Sequence, residues 1–101
     1  MASIAYDEQA LRDLERLAEF LANQEPQSAQ STIGLIVEAI EILANHPLVG
    51  RPIGEHSREL VISRGRTGYL ALYEHVPARD RVQIRAIRHQ REVGFEEDSI
   101  P

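Results

Sequence analysis

The chain has 101 residues, of which 43% are hydrophobic and 27% charged, and its formal net charge is −5. This length fits one domain, and the composition excludes a disordered chain; no stretch approaches the roughly 20 apolar residues of a membrane-spanning helix. Since cysteine is absent, disulfides, thiol catalysis and cysteine-ligated zinc are excluded. The N-terminus lacks the pattern of a signal peptide, so we expect a cytoplasmic protein.

The charge is distributed unevenly. Residues 1–50 carry two arginines against eight acidic residues, whereas residues 51–91 carry nine arginines against four acids. All eleven basic residues are arginine, whose planar guanidinium favours bidentate contacts with anions. His46, His56 and His75 have no ligand-like spacing, so we predict no metal and no cofactor.

The chain begins with a short strand at residues 3–6 that enters a helix, with Asp7 at the N-cap position. The first helix ends near Asn23, and Asp13 is predicted on its water-facing side. Its apolar stripe repeats at helical spacing and is formed by Leu11, Leu14, Leu17, Ala18, Phe20 and Leu21.

A second helix is predicted to start at Pro26, because proline suits the first helical position, and to end at residues 45–47. One apolar face comprises Ile33, Ile36, Val37, Ile40, Leu43 and Ala44, and a further face adds Leu35, Ala39 and Ile42. Either the first helix covers the extra face or a second protein does. Residues 50–54 are rich in turn formers and predict a loop.

The apolar period then changes to two, which predicts strands at residues 60–63, 69–76 and 82–87. Turns near residues 65–68 and 77–80 are short enough for an antiparallel meander. In the central strand, Tyr73 is predicted to bury its ring and give its hydroxyl a partner. The fold class is therefore α+β: a strand, a helical hairpin and a three-stranded meander, in one domain over residues 1–95 with an acidic tail at 96–101.

Specific residues resemble the RelE/ParE superfamily, the toxins of type II toxin–antitoxin (plasmid stabilisation) systems. The resemblance covers roughly residues 3–95 and depends on the order and spacing of its parts. These parts are Ala10 and Asp13-Leu14, Pro26, the Ile36/Ile40/Leu43 stripe, Pro47, Gly50-Arg51-Pro52, Arg58-Glu59-Leu60, Tyr69, Leu72-Tyr73 and Ile87-Arg88-His89. The resemblance implies a twisted antiparallel sheet with the hairpin on one face, growth arrest, and neutralisation by an antitoxin segment that wraps the toxin.

The superfamily includes two activities. RelE-like members cut messenger RNA on the ribosome, whereas ParE-like members poison DNA gyrase. Metal-independent RNA cleavage needs a base, an acid and fixed positive charge. His89, Tyr69, Tyr73 or Glu59 would supply the proton transfer, and for this endoribonuclease we single out His89 with Arg64 and Arg66. Target or nucleic-acid contact falls to the arginines of the basic segment, Arg64, Arg66, Arg85, Arg88 and Arg91.

The acidic net charge and the absence of lysine favour the ParE-like activity, since an acidic protein is repelled by the ribosome. Two plainer interpretations remain open: Arg85, Arg88 and Arg91 form a solvated face paired with Glu74 and Glu92, and His89 is a structural residue. A third is a harmless binding module, which expression of the chain alone would separate from a toxin.

The extra apolar face of the second helix and the exposed sheet edge predict a second chain, the cognate antitoxin. We expect it to bind beside Ile33, Leu35, Ala39 and Ile42, with an acidic segment where it crosses the net positive sheet.

Overall fold

The computed structural model describes residues 1–64 and 67–90. Its strands are β1 (Ser3–Tyr6), β2 (Arg51–Ile53), β3 (Ser57–Arg64), β4 (Thr67–Val76) and β5 (Arg81–His89), and its helices are α1 (Glu8–Gln24) and α2 (Ala29–Glu41). Short 3₁₀ turns cover Ile42–Ala44 and Pro77–Arg79. The sheet order is β1-β5-β4-β3-β2, with β1 parallel to β5 and the other pairs antiparallel. The predicted α+β fold, with its helical hairpin and meander, is confirmed.

The loop predicted at residues 50–54 is wrong. Arg51–Ile53 forms β2, which pairs with Ser57–Glu59 of β3. Gly54 adopts a φ of 68°, the left-handed conformation that glycine tolerates, and begins the turn between the two strands. Pro52 fits because β2 lies at the edge of the sheet, where a missing N–H costs no ladder hydrogen bond.

The start predicted for the second helix is also wrong. α2 begins at Ala29, and Pro26 lies in a turn closed by the Ser28 amide, which donates to the Glu25 carbonyl at 3.0 Å. The turn residues around Pro26 therefore form a separate connection between the helices. The 13 residues of α2 are fewer than the periodic pattern suggested, because the last apolar residues continue in the 3₁₀ turn.

The core lies on one face of the sheet, where α1 packs on β5 and α2 on β3. The strands contribute Ile62, Tyr69, Ala71, Tyr73, Val82, Ile84 and Ile87, and the helices add Ala10, Leu17, Ile36, Ile40 and, from the 3₁₀ turn, Leu43. Leu11 and Phe20, predicted on the apolar stripe of the first helix, are 48% and 56% exposed. The face of α1 that contacts the sheet is therefore narrower than the apolar stripe predicted from the sequence.

A β-bulge in β5 changes which residues enter this core. Leu72 pairs with Ala86 and Tyr73 with Ile84, so Arg85 is an extra residue in β5. Ile84 and Ile87 consequently both point into the core, although strict alternation places them on opposite faces. The strict period of two predicted for residues 82–87 therefore fails after Ile84.

Asp13 is 3% exposed and not on a water-facing side, which corrects the prediction from the sequence. Its carboxylate accepts the backbone N–H of Ile87 at 2.9 Å and the side-chain amide of Gln9 at 2.9 Å. β1 pairs only as far as Ile84 of β5. Beyond that point α1 lies against β5, and Asp13 supplies the acceptor that a strand would otherwise provide.

Tyr73 anchors the segment before β2. Its hydroxyl accepts the buried N–H of Gly50 at 2.8 Å, and Arg58 donates to the carbonyls of Leu48 and Gly50 at 3.0 and 2.8 Å. Burial raises the pKa of Tyr73 despite the opposing effects of Gly50 and Arg58, so the hydroxyl stays protonated at neutral pH. A Cβ atom at Gly50 would lie 2.5 Å from this hydroxyl, and hence only glycine fits there. The partner expected for the tyrosine hydroxyl is confirmed.

We predict that Tyr73→Phe lowers the free energy of unfolding by about 1 to 3 kcal/mol, because the buried amide of Gly50 loses its acceptor. Tyr73→Ala should cost about 3 to 5 kcal/mol, as large core truncations do. Urea denaturation checks both values, with the half-exposed Val61→Ala as control. A phenylalanine variant as stable as the parent would contradict the proposed anchor.

Candidate functional site

The sheet face opposite the core carries no helix among the described residues. We call it the open face. By strand register it comprises Glu59, Val61, Ser63, Leu70, Leu72, Glu74, Gln83, Arg85, Ala86 and Arg88. Its centre is apolar, with Val61 opposite Leu70 and Leu72 opposite Ala86, and its charges lie toward the margins. Val61 is 51% exposed, so this apolar centre contacts solvent.

Arg85, the extra residue of the bulge, is held between two carboxylates. One guanidinium nitrogen lies 3.2 Å from an Asp7 carboxylate oxygen, and another bonds the carboxylate of Glu74. The hydrogen bond with Glu74 is the main cause that raises the pKa of Arg85, with a further contribution from Asp7. The predicted pairing of Arg85 with Glu74 is confirmed, and the local charge is compensated within the protein.

Asp7 occupies the N-cap position of α1 as predicted, but its side chain makes no cap hydrogen bond. Its carboxylate instead accepts from Gln83 at 2.6 Å and from Arg85. Asp7 thus links the end of β1 to β5. The sequence pattern of a helix cap gave no indication that Arg85, 78 residues further along the chain, would compete for this carboxylate.

His89 lies on the core side of the sheet. It pairs with Tyr69 across β4 and β5, and the two rings meet edge to face with centroids 5.1 Å apart and an interplanar angle of 88°. Tyr69 is 2% exposed. Arg85 and Arg88 belong to the open face, so the sheet separates His89 from both arginines.

The other residues proposed for proton transfer or charge do not assemble into one site among the described residues. Tyr73 is buried in the core, and Glu59 is ion-paired with Arg51 at 2.6 Å. Arg64 ends β3 opposite Thr67, at the same end of the sheet as His89. Arg66, Arg91 and the predicted tail at 96–101 lie outside the described residues.

Most of the residues predicted to bind an antitoxin pack against the core of the toxin itself. Ile33, Leu35 and Ala39 are partly buried against the core, whereas Ile42 is 54% exposed. The fold itself thus covers much of the extra apolar surface of α2. Leu35 also lines a shallow groove of about 440 Å³ with Ser31, Gly34 and Glu38, so part of this surface remains accessible.

Sequence reasoning missed a cleft of about 240 Å³ at the opposite end of the sheet from His89. It is lined in part by Leu48, Pro52, His56, Arg58, His75 and Pro77. Only the folding back of β2 onto β3 brings these residues together, and their spacing gave no sign of it. No group of three His, Cys, Asp or Glu side chains in the described ranges is arranged to hold a metal ion. None of the helices described is long and apolar enough to cross a membrane.

Comparison with known proteins places the chain among small bacterial toxins. Residues 4–94 match the family described as ParE toxin of type II toxin-antitoxin system, parDE. Toxin RelE3 of Caulobacter vibrioides is 39% identical over 92 residues, covering 91% of this chain and 98% of that protein. A chain of the chromosomal ParDE system from P. aeruginosa superposes with a TM-score of 0.72 at 24% identity, covering 88% of this chain and 96% of that one. A chain of the RelBE2 complex from Mycobacterium tuberculosis gives a TM-score of 0.62 at 24% identity, with coverages of 88% and 98%.

Proposed function

The chain belongs to the ParE toxin family of type II toxin–antitoxin systems, and from this premise we propose that it arrests growth by binding and poisoning DNA gyrase. The observation that carries the proposal is the separation of His89 from Arg85 and Arg88 by the sheet. An acid, a base and positive charge must surround one phosphate for metal-independent RNA cleavage. Among the described residues, the open face offers arginines without a histidine beside them, and the carboxylates next to Arg85, those of Asp7 and Glu74, are already ion-paired with it, which favours binding over cleavage.

The second candidate function is ribosome-dependent cleavage of messenger RNA, favoured by the similarity to Toxin RelE3. It depends on His89 with Arg64 and Arg66. His89 and Arg64 share one end of the sheet. In this alternative, His89 would leave its ring contact with Tyr69 to reach a phosphate, which costs an aromatic interaction.

We assign target contact to the basic segment of the domain over residues 1–95, with Arg64, Arg66, Arg85, Arg88 and Arg91 as its contacts. A target carrying both acidic and apolar groups would suit the open face, because the arginines there border an apolar centre. Gyrase and ribosomes work in the cytoplasm, where we place the toxin.

The partner that neutralises the toxin is an antitoxin, since the structural relatives include toxins of ParDE and RelBE complexes. We propose that it contacts α2 beside Ile33, Leu35, Ala39 and Ile42. The groove around Leu35 accepts an apolar side chain, and the exposed Ile42 extends the surface. The charges of the open face would then set the register of an acidic segment.

The two targets are separated by expressing the toxin and inspecting the arrested cells. We expect chromosome damage and uncut messenger RNA, and His89→Phe should keep most of the growth arrest because phenylalanine preserves the ring contact with Tyr69. A nuclease that loses its acid or base loses about 100-fold or more in rate. Cut messenger RNA, together with loss of arrest in a folded His89→Phe variant, would establish the alternative.

We predict that the double variant Arg64→Ala, Arg66→Ala weakens target binding at least about tenfold, since it removes two charged contacts, and reduces growth arrest accordingly. Arg64 is the last residue of β3 and Arg66 precedes β4 in the chain, so the change falls at the ends of strands and the fold should remain intact. The matched control is Arg79→Ala, Arg81→Ala, which removes the same charge at the other end of the sheet. Equal arrest by all three proteins at equal soluble amounts would refute the assignment.

Antitoxin affinity should depend more on the apolar groove than on charge. Leu35→Asp should weaken the complex by about 100-fold, because a carboxylate would be desolvated in the interface, whereas Arg85→Ala should cost much less. Leu11→Asp is the control, since Leu11 is an exposed leucine on the other helix. Titration by calorimetry at two salt concentrations measures all three. A larger loss for Arg85→Ala than for Leu35→Asp is the result that rules out this interface.

A further inference from the structure

We propose that Asp13 is a positioning residue of the toxin, which holds the bulge of β5 in the register that places Arg85 and Arg88 together on the open face. The proposal rests on the proposed function, in which these arginines contact the target. It assigns to a buried carboxylate, remote from the open face, a part in shaping that face.

The contacts of Asp13 lie just after the bulge. One carboxylate oxygen accepts the Ile87 N–H at 2.9 Å in a buried hydrogen bond, and the other accepts from Gln9 at 2.9 Å. Arg16 approaches at 3.8 Å. The Asp13 side chain is 4% exposed, so its desolvation must be offset by these contacts. Asp13 therefore fixes the β5 backbone two residues after Arg85.

The register of β5 determines what the open face presents. Side chains alternate along a strand, so without an extra residue Arg85 and Arg88 would point to opposite faces. With the bulge, Arg85 and Arg88 share the open face while Ile84 and Ile87 share the core. A slip that removed the bulge would bury an arginine and expose an isoleucine.

The bulge is fixed on both sides of the sheet. On the open face, Asp7 and Glu74 hold Arg85 itself. On the side of α1, Asp13 holds the amide of Ile87. The ion pairs of Arg85 are partly exposed and are therefore weak restraints. The buried hydrogen bond of Asp13 is the stronger restraint on the backbone.

The test compares Asp13→Ala with Asp13→Asn. Asparagine retains a carbonyl oxygen that accepts the Ile87 N–H, whereas alanine does not. We expect Asp13→Ala to accelerate hydrogen exchange of the Ile87 amide about tenfold or more and to lower growth arrest at equal soluble amounts. Asp13→Asn should restore most of both. If the alanine variant is insoluble, Asp13→Ser carries the same expectation, because its side chain is too short to reach the amide.

Leu21→Ala is the matched control for stability. Leu21 is buried on α1 but lies outside the main core cluster, so its truncation should lower the melting temperature without reducing growth arrest per soluble molecule. Full arrest by Asp13→Ala despite faster exchange at Ile87 would overturn the proposal. Loss of arrest with unchanged exchange at Ile87 would overturn it as well.

The double variant Arg85→Ala, Arg88→Ala distinguishes failure of this proposal from failure of the proposed function. If the double variant loses growth arrest and Asp13→Ala keeps it, the arginines act on the target and Asp13 does not position them. If the double variant keeps full arrest, target contact through these arginines is wrong, and the positioning role is overturned with it.

Discussion

The one-residue shift in β5 is the constraint on which both faces of the sheet depend. Because Arg85 is extra, Ile84 and Ile87 can both enter the core, and the open face receives Arg85, Ala86 and Arg88. After this shift β1 no longer pairs with β5, so the buried Ile87 amide needs an acceptor from another element. Asp13 of α1 supplies it, so the packing of a helix and the composition of the opposite face are linked through a single amide.

Apolar periodicity predicted the helices and strands that local patterns determine. It failed where contacts between residues far apart in the chain determine the structure. The meander and the hairpin followed from apolar spacing. The position of Asp13 did not, because a carboxylate on a helix is ordinarily solvated unless a distant amide needs it. Likewise β2 contains Pro52 and is flanked by Gly50 and Gly54, which predict a turn, and its pairing depends on Tyr73 and Arg58, which hold the preceding segment in place. Neither contact has a local signature.

The candidate site was predictable in its residue types and less so in its arrangement. The clustering of arginines after residue 50 is plain in the sequence, and so was the pairing of Arg85 with Glu74 on neighbouring strands. The side on which His89 lies was not, because it depends on the bulge: Ile87 and His89 lie on the core side with Ile84 only because the shift separates them from Ile84. An alternating pattern read without the bulge therefore groups the wrong residues.

The same shift bears on how the toxin meets its target. Arg85 already satisfies two carboxylates, so an approaching anion must compete with Asp7 and Glu74 and gains little net energy from that charge. Within residues 1–64 and 67–90, no charged group is paired over the apolar centre around Val61 and Leu70, which gains from burial in proportion to its area. Affinity for a partner on this face should thus come from packing, with the arginines selecting orientation. A surface of that kind suits a protein target better than an RNA backbone, whose recognition depends on uncompensated positive charge.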